Sequence, residues 1–264
     1  MRERQHLPLP LDVPVPGASF SDLLATLGHT PRFEILPEGR TLQAPEATTV
    51  LALRFAGGVA MAGDRQATEG NLVAHRSLRK VFPADRYSAV AISGTAGLAM
   101  EMVHLFQVEL EHYEKIEGLR LSLDGKANFL ARLVRGQLPM AFQGLIVVPL
   151  FAGYDEEADE GRLYSFDVVG GRYEEQDFGS TGSGSRLARS FLRASYRPGM
   201  ARDEAVALTV QALVSAAVDD TATGGPDLRR GILPNVVVID SSGLEEVTDE
   251  VIRPLAESAL ESIR

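Results

Sequence analysis

Hydrophobic residues recur with two different periods along this chain, and the change between them predicts the order of its secondary structure. Alternating or continuous apolar stretches rich in β-branched residues favour strands, and apolar residues three and four positions apart favour amphipathic helices. The predicted strands are residues 49–55, 59–62, 80–82, 87–93, 145–151, 161–169, 172–178, 235–240 and 244–247. The predicted helices are residues 97–116, 125–142, 185–196, 203–218 and 250–263.

This order predicts the fold class. Strands, two helices, strands, two helices and further strands suit two stacked antiparallel sheets with helices packed on both outer faces. We therefore expect an α+β protein, a four-layer αββα sandwich. On the first long helix, Met100, Val103, Phe106, Leu110 and Tyr113 are expected to form the buried face. On the second, that face is expected to contain Phe129, Leu133 and Leu138.

The first 47 residues differ from the rest of the chain. They contain seven of its 14 prolines, and a single short helix is predicted there, at residues 19–27. Proline lacks a backbone donor for sheet pairing, so a strand-rich core is not expected in this segment. We interpret residues 1–47 as an appended segment and expect the folded domain to begin near Thr48.

Composition excludes several classes of function. The chain has 264 residues, of which 45% are hydrophobic, enough for a substantial core. No stretch approaches the roughly 20 apolar residues of a membrane helix and the N-terminus lacks a signal-peptide core, so a cytoplasmic location is expected. Without cysteine, disulfides, thiolate metal sites and a cysteine nucleophile are excluded. A net charge of −10 argues against a nucleic-acid partner, whose phosphates require a basic face.

Several familiar motifs are incomplete. The glycine-rich run at residues 179–185 has neither the third glycine of a dinucleotide fingerprint nor the Gly-Lys-Ser/Thr of a phosphate loop. The five histidines include no His-x-x-x-His pair, so a metal site is not expected. Residue counts allow a serine triad, but no Gly-x-Ser-x-Gly marks a nucleophile elbow.

The run Ala47-Thr48-Thr49-Val50 suggests a hidden N-terminus. A threonine hydroxyl is a poor nucleophile without a base beside it, and its own α-amino group can be that base once the preceding peptide bond is cut. Residues 1–47 would then be a propeptide. The alternative is that these β-branched residues simply open a strand.

Other residues could support a threonine nucleophile. Lys80, if buried, could depress the pKa of the threonine and hold a proton, and Asp64 could keep that lysine charged. Gly94 lets a backbone N–H approach a reacting carbonyl as an oxyanion donor. Asp220 and Thr223 could order a water and the terminal amine. The alternatives are a surface lysine, turn residues and the end of a helix.

A family resemblance is carried by Thr48-Thr49-Val50, Ala62-Gly63-Asp64-Arg65, Lys80, Gly94-Thr95-Ala96-Gly97, Gly182-Ser183-Gly184 and Thr223-Gly224-Gly225-Pro226-Asp227. Together they resemble the catalytic β-subunits of bacterial 20S proteasomes of the actinobacterial type, from Thr48 to about residue 250. The resemblance implies the fold of the N-terminal-nucleophile hydrolases, autocatalytic removal of residues 1–47 and a catalytic domain at residues 48–264. The activity implied is that of a threonine endopeptidase without a cofactor.

The resemblance also assigns roles to residues. Thr48 would be the nucleophile, Asp64 and Lys80 its supporting pair, and Gly94 the oxyanion donor. The network around the amine would contain Ser183, Asp220 and Thr223. Substrate binding is assigned to Ala67, Thr68, Leu78, Phe82, Ile92, Ala96 and Met100. The apolar members of this set would form a pocket that favours a large hydrophobic residue before the cut, because an unpaired charge there would be costly.

The partners implied are proteasome α-subunits and other β-subunits in seven-membered rings stacked four deep, a ring-shaped ATPase or other activator, and protein substrates. Nucleic acid and membrane are not among them. The chain departs from the family at Ala47, where relatives usually have glycine, and at Gln66, where they often have a basic residue. Two alternatives remain: a non-catalytic ring subunit of the same fold, and the simpler two-component bacterial protease, whose subunits are shorter.

Overall fold

The computed structural model describes residues 48–69 and 72–263. The helix predicted at residues 19–27 and the residue Ala47 lie outside this part of the chain. Within the described part, no helix is both long enough and apolar enough to cross a membrane.

The first sheet has five strands, and each pairs antiparallel with its neighbours. The N-terminal strand β1 is paired on both sides, which holds the start of the domain within the sheet rather than at its edge. The order across the sheet is β10 (Phe178–Gly182), β1 (Thr49–Phe55), β2 (Gly58–Gly63), β11 (Asn235–Asp240) and β12 (Gly243–Glu246).

The second sheet is also antiparallel and five-stranded, and it follows the order of the chain. Its strands are β5 (Val81–Asp85), β6 (Ser88–Gly94), β7 (Val147–Asp155), β8 (Glu160–Phe166) and β9 (Arg172–Glu175). A separate hairpin of β3 (Ala67–Glu69) and β4 (Leu72–His75) precedes it, and sequence analysis did not predict these short strands.

Helices cover the outer face of each sheet. The second sheet is covered by α1 (Ala96–Glu117) and α2 (Leu123–Gly136), which is followed by the one-turn α3 (Leu138–Ala141). The first sheet is covered by α4 (Ser185–Ser195), α5 (Arg202–Asp219) and α6 (Asp249–Glu261).

Each sheet has an apolar core beneath its helices, and a third apolar core lies between the two sheets. Val50 and Ala52 of β1 meet Leu150 of β7 and Leu163 of β8 there, whereas Leu51 packs against the helices of the first sheet. Successive side chains of a strand point to opposite faces, so β1 contributes to two cores at once. The predicted αββα sandwich is confirmed.

The prediction of one strand at residues 172–178 is wrong. The chain bends at Gln176 and Asp177, so β9 pairs in the second sheet and β10 in the first. The ring of Phe178 packs 5.4 Å from that of Tyr196 in the helix-side core of the first sheet, and the carbonyl of Asp177 accepts a hydrogen bond from the Arg54 amide at 2.8 Å. Burial of this aromatic ring in the other layer outweighs continuation of a polar strand.

The single helix predicted at residues 125–142 is also wrong, because it ends at Gly136 and a short helix follows from Leu138. Proline at position 139 has no N–H for the carbonyl four residues earlier, and its ring collides with that carbonyl in a continuous helix. The buried face differs as well. Leu123, Ala127, Leu130 and Val134 are buried, while the predicted Phe129, Leu133 and Leu138 are half-buried.

The buried face predicted for α1 is right only in its centre. Val103, Phe106 and Leu110 are buried, but Met100 and Tyr113 are 41% and 40% exposed in the isolated chain. The second sheet covers a narrower stripe of this helix than its apolar residues would allow.

The two sheets approach each other closely where Gly161 of β8 meets Gly58 of β2. A Cβ built on Gly161 overlaps the backbone of Gly58, which cannot move like a side chain. We expect Gly161→Ala to lower the free energy of unfolding by about 1–3 kcal/mol, the usual effect of overpacking. Chemical or thermal unfolding of the unassembled subunit measures this change.

Gly97→Ala is the matched control, because a Cβ at this position of α1 meets nothing within 4 Å. Alanine is the better helix former, by about 0.5–1 kcal/mol, so this variant should be at least as stable as the wild type. Equal stability of the two alanine variants would contradict the close approach of the sheets.

Candidate active site

The carboxylate of Asp64 is the centre of the candidate site. It follows directly after β2 and is 1% exposed. Its Oδ1 accepts hydrogen bonds from the Thr49 amide at 2.8 Å and from Lys80 Nζ at 2.6 Å. Its Oδ2 accepts from the amides of Gln66 at 3.0 Å and Gly224 at 2.9 Å. A buried carboxylate is costly unless it is paired and hydrogen-bonded, and this one is both.

Lys80 is buried beside Asp64. It precedes β5, is 1% exposed, and its ammonium also donates to the carbonyl of Gln66 at 2.5 Å. Burial lowers the pKa of Lys80 below its ordinary value, and the negative charges of Asp64 and Asp220 oppose that shift only in part. The side chain is therefore an oriented cation that releases a proton more readily than a surface lysine.

The peptide between Thr48 and Thr49 is held from both sides. Its carbonyl accepts a hydrogen bond from the Ser183 amide at 2.9 Å, and its N–H donates to Asp64. Thr48 is 6% exposed and precedes β1, whose alternation assigns it to the face of Val50, turned toward the second sheet. Thr49 belongs to the opposite face, toward the helices.

Close packing against Thr48 requires glycine at the end of β10. Gly182 has a φ of 100°, and a Cβ built on it would overlap the carbonyl oxygen of Thr48. Glycine adopts such a backbone without the strain that a side chain brings. Its absence of a side chain lets the strand reach the backbone of Thr48.

Three polar residues form a connected group at the C-terminal end of α5. Oδ2 of Asp220 accepts hydrogen bonds from Ser183 Oγ at 2.7 Å and from Thr223 Oγ1 at 2.5 Å. Ser183 Oγ also lies 3.4 Å from the carbonyl oxygen of Thr48. The structure thus brings these three residues together, and Ser183 links them to the backbone of Thr48.

Gly94 lies at the end of β6 on the neighbouring sheet. The preceding Ser93 hydroxyl lies 3.0 Å from Oγ1 of Thr181, the residue of β10 that pairs with Val50. This contact brings the end of β6 next to the start of β1. Gly94 therefore lies at the same end of the two sheets as Thr48.

The residues assigned to substrate binding lie in β3, β5, β6, α1 and the segment after β4. Ile92 of β6 donates its amide proton to the Lys80 carbonyl at 2.9 Å and belongs to the core under α1, where Phe82 packs against it. Ala96 and Met100 lie in the first turns of α1, the latter exposed. Ala67, Thr68 and Leu78 lie in β3 or shortly after β4, and Leu78 donates to the Arg65 carbonyl at 3.0 Å.

Sequence reasoning missed two contacts of the site. The Gln66 side chain donates to the carbonyl of Thr221 at 3.0 Å, which joins the segment after β2 to the loop after α5. The Thr49 hydroxyl accepts a hydrogen bond from the Gly184 amide at 2.9 Å and lies 2.6 Å from Thr223 Oγ1. The alternation of β1 predicts that Thr49 faces away from Thr48, but the sequence does not indicate what it meets there.

Among the described residues, no group of three or more histidine, aspartate or glutamate side chains could hold a metal ion. The chemistry that this arrangement can perform is that of a hydroxyl, a buried ammonium and oriented hydrogen-bond donors.

Comparison with known proteins identifies the family of the chain. Residues 45–227 match the family model described as Proteasome subunit. A protein named Proteasome subunit beta from Acidimicrobium ferrooxidans is 56% identical over 222 residues, which are 84% of this chain and 81% of the relative. A protein of the same name from Streptomyces griseus subsp. griseus is 52% identical over 261 residues, 96% of this chain and 92% of the relative.

Proposed function

The chain belongs to the proteasome subunit family, and we propose that it is the threonine endopeptidase subunit of a proteasome core, with Thr48 as its nucleophile. The observation that carries this proposal is the buried Lys80–Asp64 pair, whose carboxylate also binds the peptide that follows Thr48. This pair is expensive to bury, and buried groups with a shifted pKa such as Lys80 are concentrated at functional sites.

The first reaction proposed is self-cleavage. The Thr48 hydroxyl attacks the carbonyl carbon of Ala47 and gives up its proton. The bond from that carbon to the Thr48 nitrogen breaks, and the nitrogen takes up that proton to become an amine. Water then hydrolyses the resulting ester. The products are the propeptide, residues 1–47, and a mature chain that starts at Thr48.

The second reaction is peptide hydrolysis. The Thr48 hydroxyl attacks the scissile carbonyl while its proton passes to the α-amino group, which returns it to the leaving amine. Lys80 stabilises the developing negative charge on the threonine oxygen, and the Gly94 amide stabilises the oxyanion. Water hydrolyses the acyl-enzyme ester and regenerates the free threonine.

The group of Ser183, Asp220 and Thr223 orients the amine in this proposal. Both hydroxyl protons point to the Asp220 carboxylate, so the lone pairs of the two oxygens are available to accept N–H bonds. The apolar side chains around Ile92 and Phe82 suit a large hydrophobic residue before the cut.

Subunits of this family assemble with other proteasome subunits in rings. We propose seven-membered rings with α-subunits above and below, a ring-shaped ATPase or other activator, unfolded or tagged proteins as substrates, and a cytoplasmic location. A non-catalytic ring subunit has no use for a buried lysine whose partner Asp64 binds the peptide after Thr48. The similarity over 92% of a relative named Proteasome subunit beta argues against the two-component protease.

The first test is the mass of the mature chain. In assembled, peptide-cleaving protein, we expect intact mass spectrometry to find a subunit that begins at Thr48. Thr48→Ala should retain residues 1–47, assemble, and cleave no peptide, because a methyl group replaces the nucleophile. Peptide cleavage by the alanine variant, or a different N-terminus in active protein, would exclude this mechanism.

The second test uses the two buried lysines of the described chain. Lys80→Met should reduce kcat by at least about a hundredfold, within the usual range for a group that handles a proton or charge in the transition state. Lys126→Met is the matched control, because Lys126 is 5% exposed and its ammonium binds Asp85 at 2.5 Å.

Both methionine variants leave a carboxylate without its lysine, so both should lose stability in thermal unfolding. Only the Lys80 variant should lose activity per assembled, processed subunit. A similar loss of kcat in both variants would assign Lys80 to folding alone.

The third test concerns Ala47. If its Cβ disfavours the turn that presents the Ala47 carbonyl to the Thr48 hydroxyl, Ala47→Gly should accelerate propeptide loss several-fold, since strain of about 1 kcal/mol has that effect on a rate. Gel time courses after mixing with α-subunits compare the two forms. Equal or slower processing of the glycine variant would show that alanine fits the turn.

A further inference from the structure

The residue after the proposed nucleophile carries a buried hydroxyl that no step above uses. Thr49 is 0% exposed, and its Oγ1 lies between the Gly184 amide at 2.9 Å and Thr223 Oγ1 at 2.6 Å. There is no space for another group in this contact. A Cβ built on Gly184 would lie 2.6 Å from Thr49 Oγ1 and 2.5 Å from Thr223 Oγ1.

The direction of these hydrogen bonds follows from the number of protons. The Thr223 hydroxyl has one proton and directs it to Asp220 Oδ2 at 2.5 Å, because an ionised carboxylate only accepts. Thr223 can then only accept from Thr49, so Thr49 donates. The chain of donors runs from the Gly184 amide through Thr49 and Thr223 to Asp220.

This chain determines which way Thr223 faces. With one lone pair occupied by Thr49 and its proton on Asp220, the Thr223 oxygen has one lone pair left. Asp220 Oδ2 also accepts from Ser183, whose amide and hydroxyl both approach the Thr48 carbonyl. Ser183 thus joins Asp220 and Thr223 to the backbone of Thr48, where cleavage would release an amine.

We propose that Thr49 is a positioning residue for catalysis: its buried hydroxyl holds Thr223 as an acceptor for an N–H of the freed Thr48 amine. The proposal rests on the proposed function, since it concerns the amine of a processed Thr48. The Thr49 side chain lies on the face of β1 that packs against the helices, whereas the Thr48 hydroxyl that the amine would serve lies on the opposite face. A misdirected Thr223 leaves the amine free to turn its lone pair away from the threonine hydroxyl.

The test compares Thr49→Val, which keeps the shape without the hydroxyl, with Thr49→Ser, which keeps the hydroxyl. In assembled enzyme whose mature N-terminus is verified by mass, we expect the valine variant to lower kcat about ten- to a hundredfold, with KM changed by less than about twofold. The serine variant should stay within about threefold of the wild type, because it can make the same hydrogen bonds.

Thr209→Val is the matched control, because Thr209 is also 0% exposed and its hydroxyl bonds only within α5, to the Val206 carbonyl. It should leave kcat unchanged. Activity of Thr49→Val equal to that of the wild type, or a loss of activity in Thr49→Ser as large as in Thr49→Val, would overturn the proposal.

A double-mutant cycle tests whether Thr49 acts through Thr223. The variant that combines Thr49→Val with Thr223→Val should lose less than about twofold more kcat than Thr223→Val alone. Full multiplication of the two losses would mean that Thr49 acts independently, against the proposal. Where Thr49→Val does not assemble, Thr49→Ala replaces it, and failure of both to assemble assigns the hydroxyl to folding and overturns the proposal.

The same series separates this inference from the proposed function. A wild-type enzyme that starts at Thr48, with an inactive Thr48→Ala variant, supports the proposed function whatever the Thr49 variants do. If the active wild type starts elsewhere, the proposed function fails first, and the inference fails with it.

Discussion

The site depends on one interaction, the satisfaction of the buried Asp64 carboxylate by four donors. Removing a carboxylate from water costs several kcal/mol, and a single missing partner leaves a large part of that penalty uncompensated. The donors come from the start of β1, the segment after β2, the residue before β5 and the loop after α5. Their convergence on one group therefore ties the first sheet, the second sheet and the loop after α5 into one arrangement around Thr48.

Because side chains alternate along β1, two adjacent threonines face different parts of the structure. Thr48 lies on the face of the second sheet, whereas the Thr49 side chain is turned toward the helices and the loop after α5. In the proposed mechanism, a substitution at Thr49 can thus affect the Thr48 amine without contact with the Thr48 hydroxyl. This is possible because successive side chains of a strand point to opposite faces, so neighbouring residues pack in different layers of the sandwich.

Much of this could be predicted from the sequence where the signal is local. The strands at residues 49–55 and 235–240 were predicted with the bounds observed, and the order of strands and helices was sufficient for the αββα architecture. The candidate catalytic residues could be named from short motifs, whereas the substrate-binding residues came only from the family resemblance. Local patterns do not contain the contacts between distant segments, such as that of Gln66 with Thr221, which lie 155 positions apart. The bend at Asp177 was missed for the same reason, since it results from burial of Phe178 in the other layer.

The two buried lysines show how the surroundings determine what a charge can do. Lys126 binds Asp85, whose other oxygen also accepts from the Ser88 hydroxyl and the Tyr87 amide, and this closes the turn between β5 and β6. Lys80 has a lowered pKa, because its burial outweighs the attraction of Asp64. Between the folded and unfolded pKa values of Lys80 the unfolded chain binds more protons, so its contribution to stability rises with pH in that window and is smallest below it. When Lys80 is charged, its loss of hydration therefore opposes folding. A pKa lowered by burial is the pattern expected for a group that takes part in catalysis.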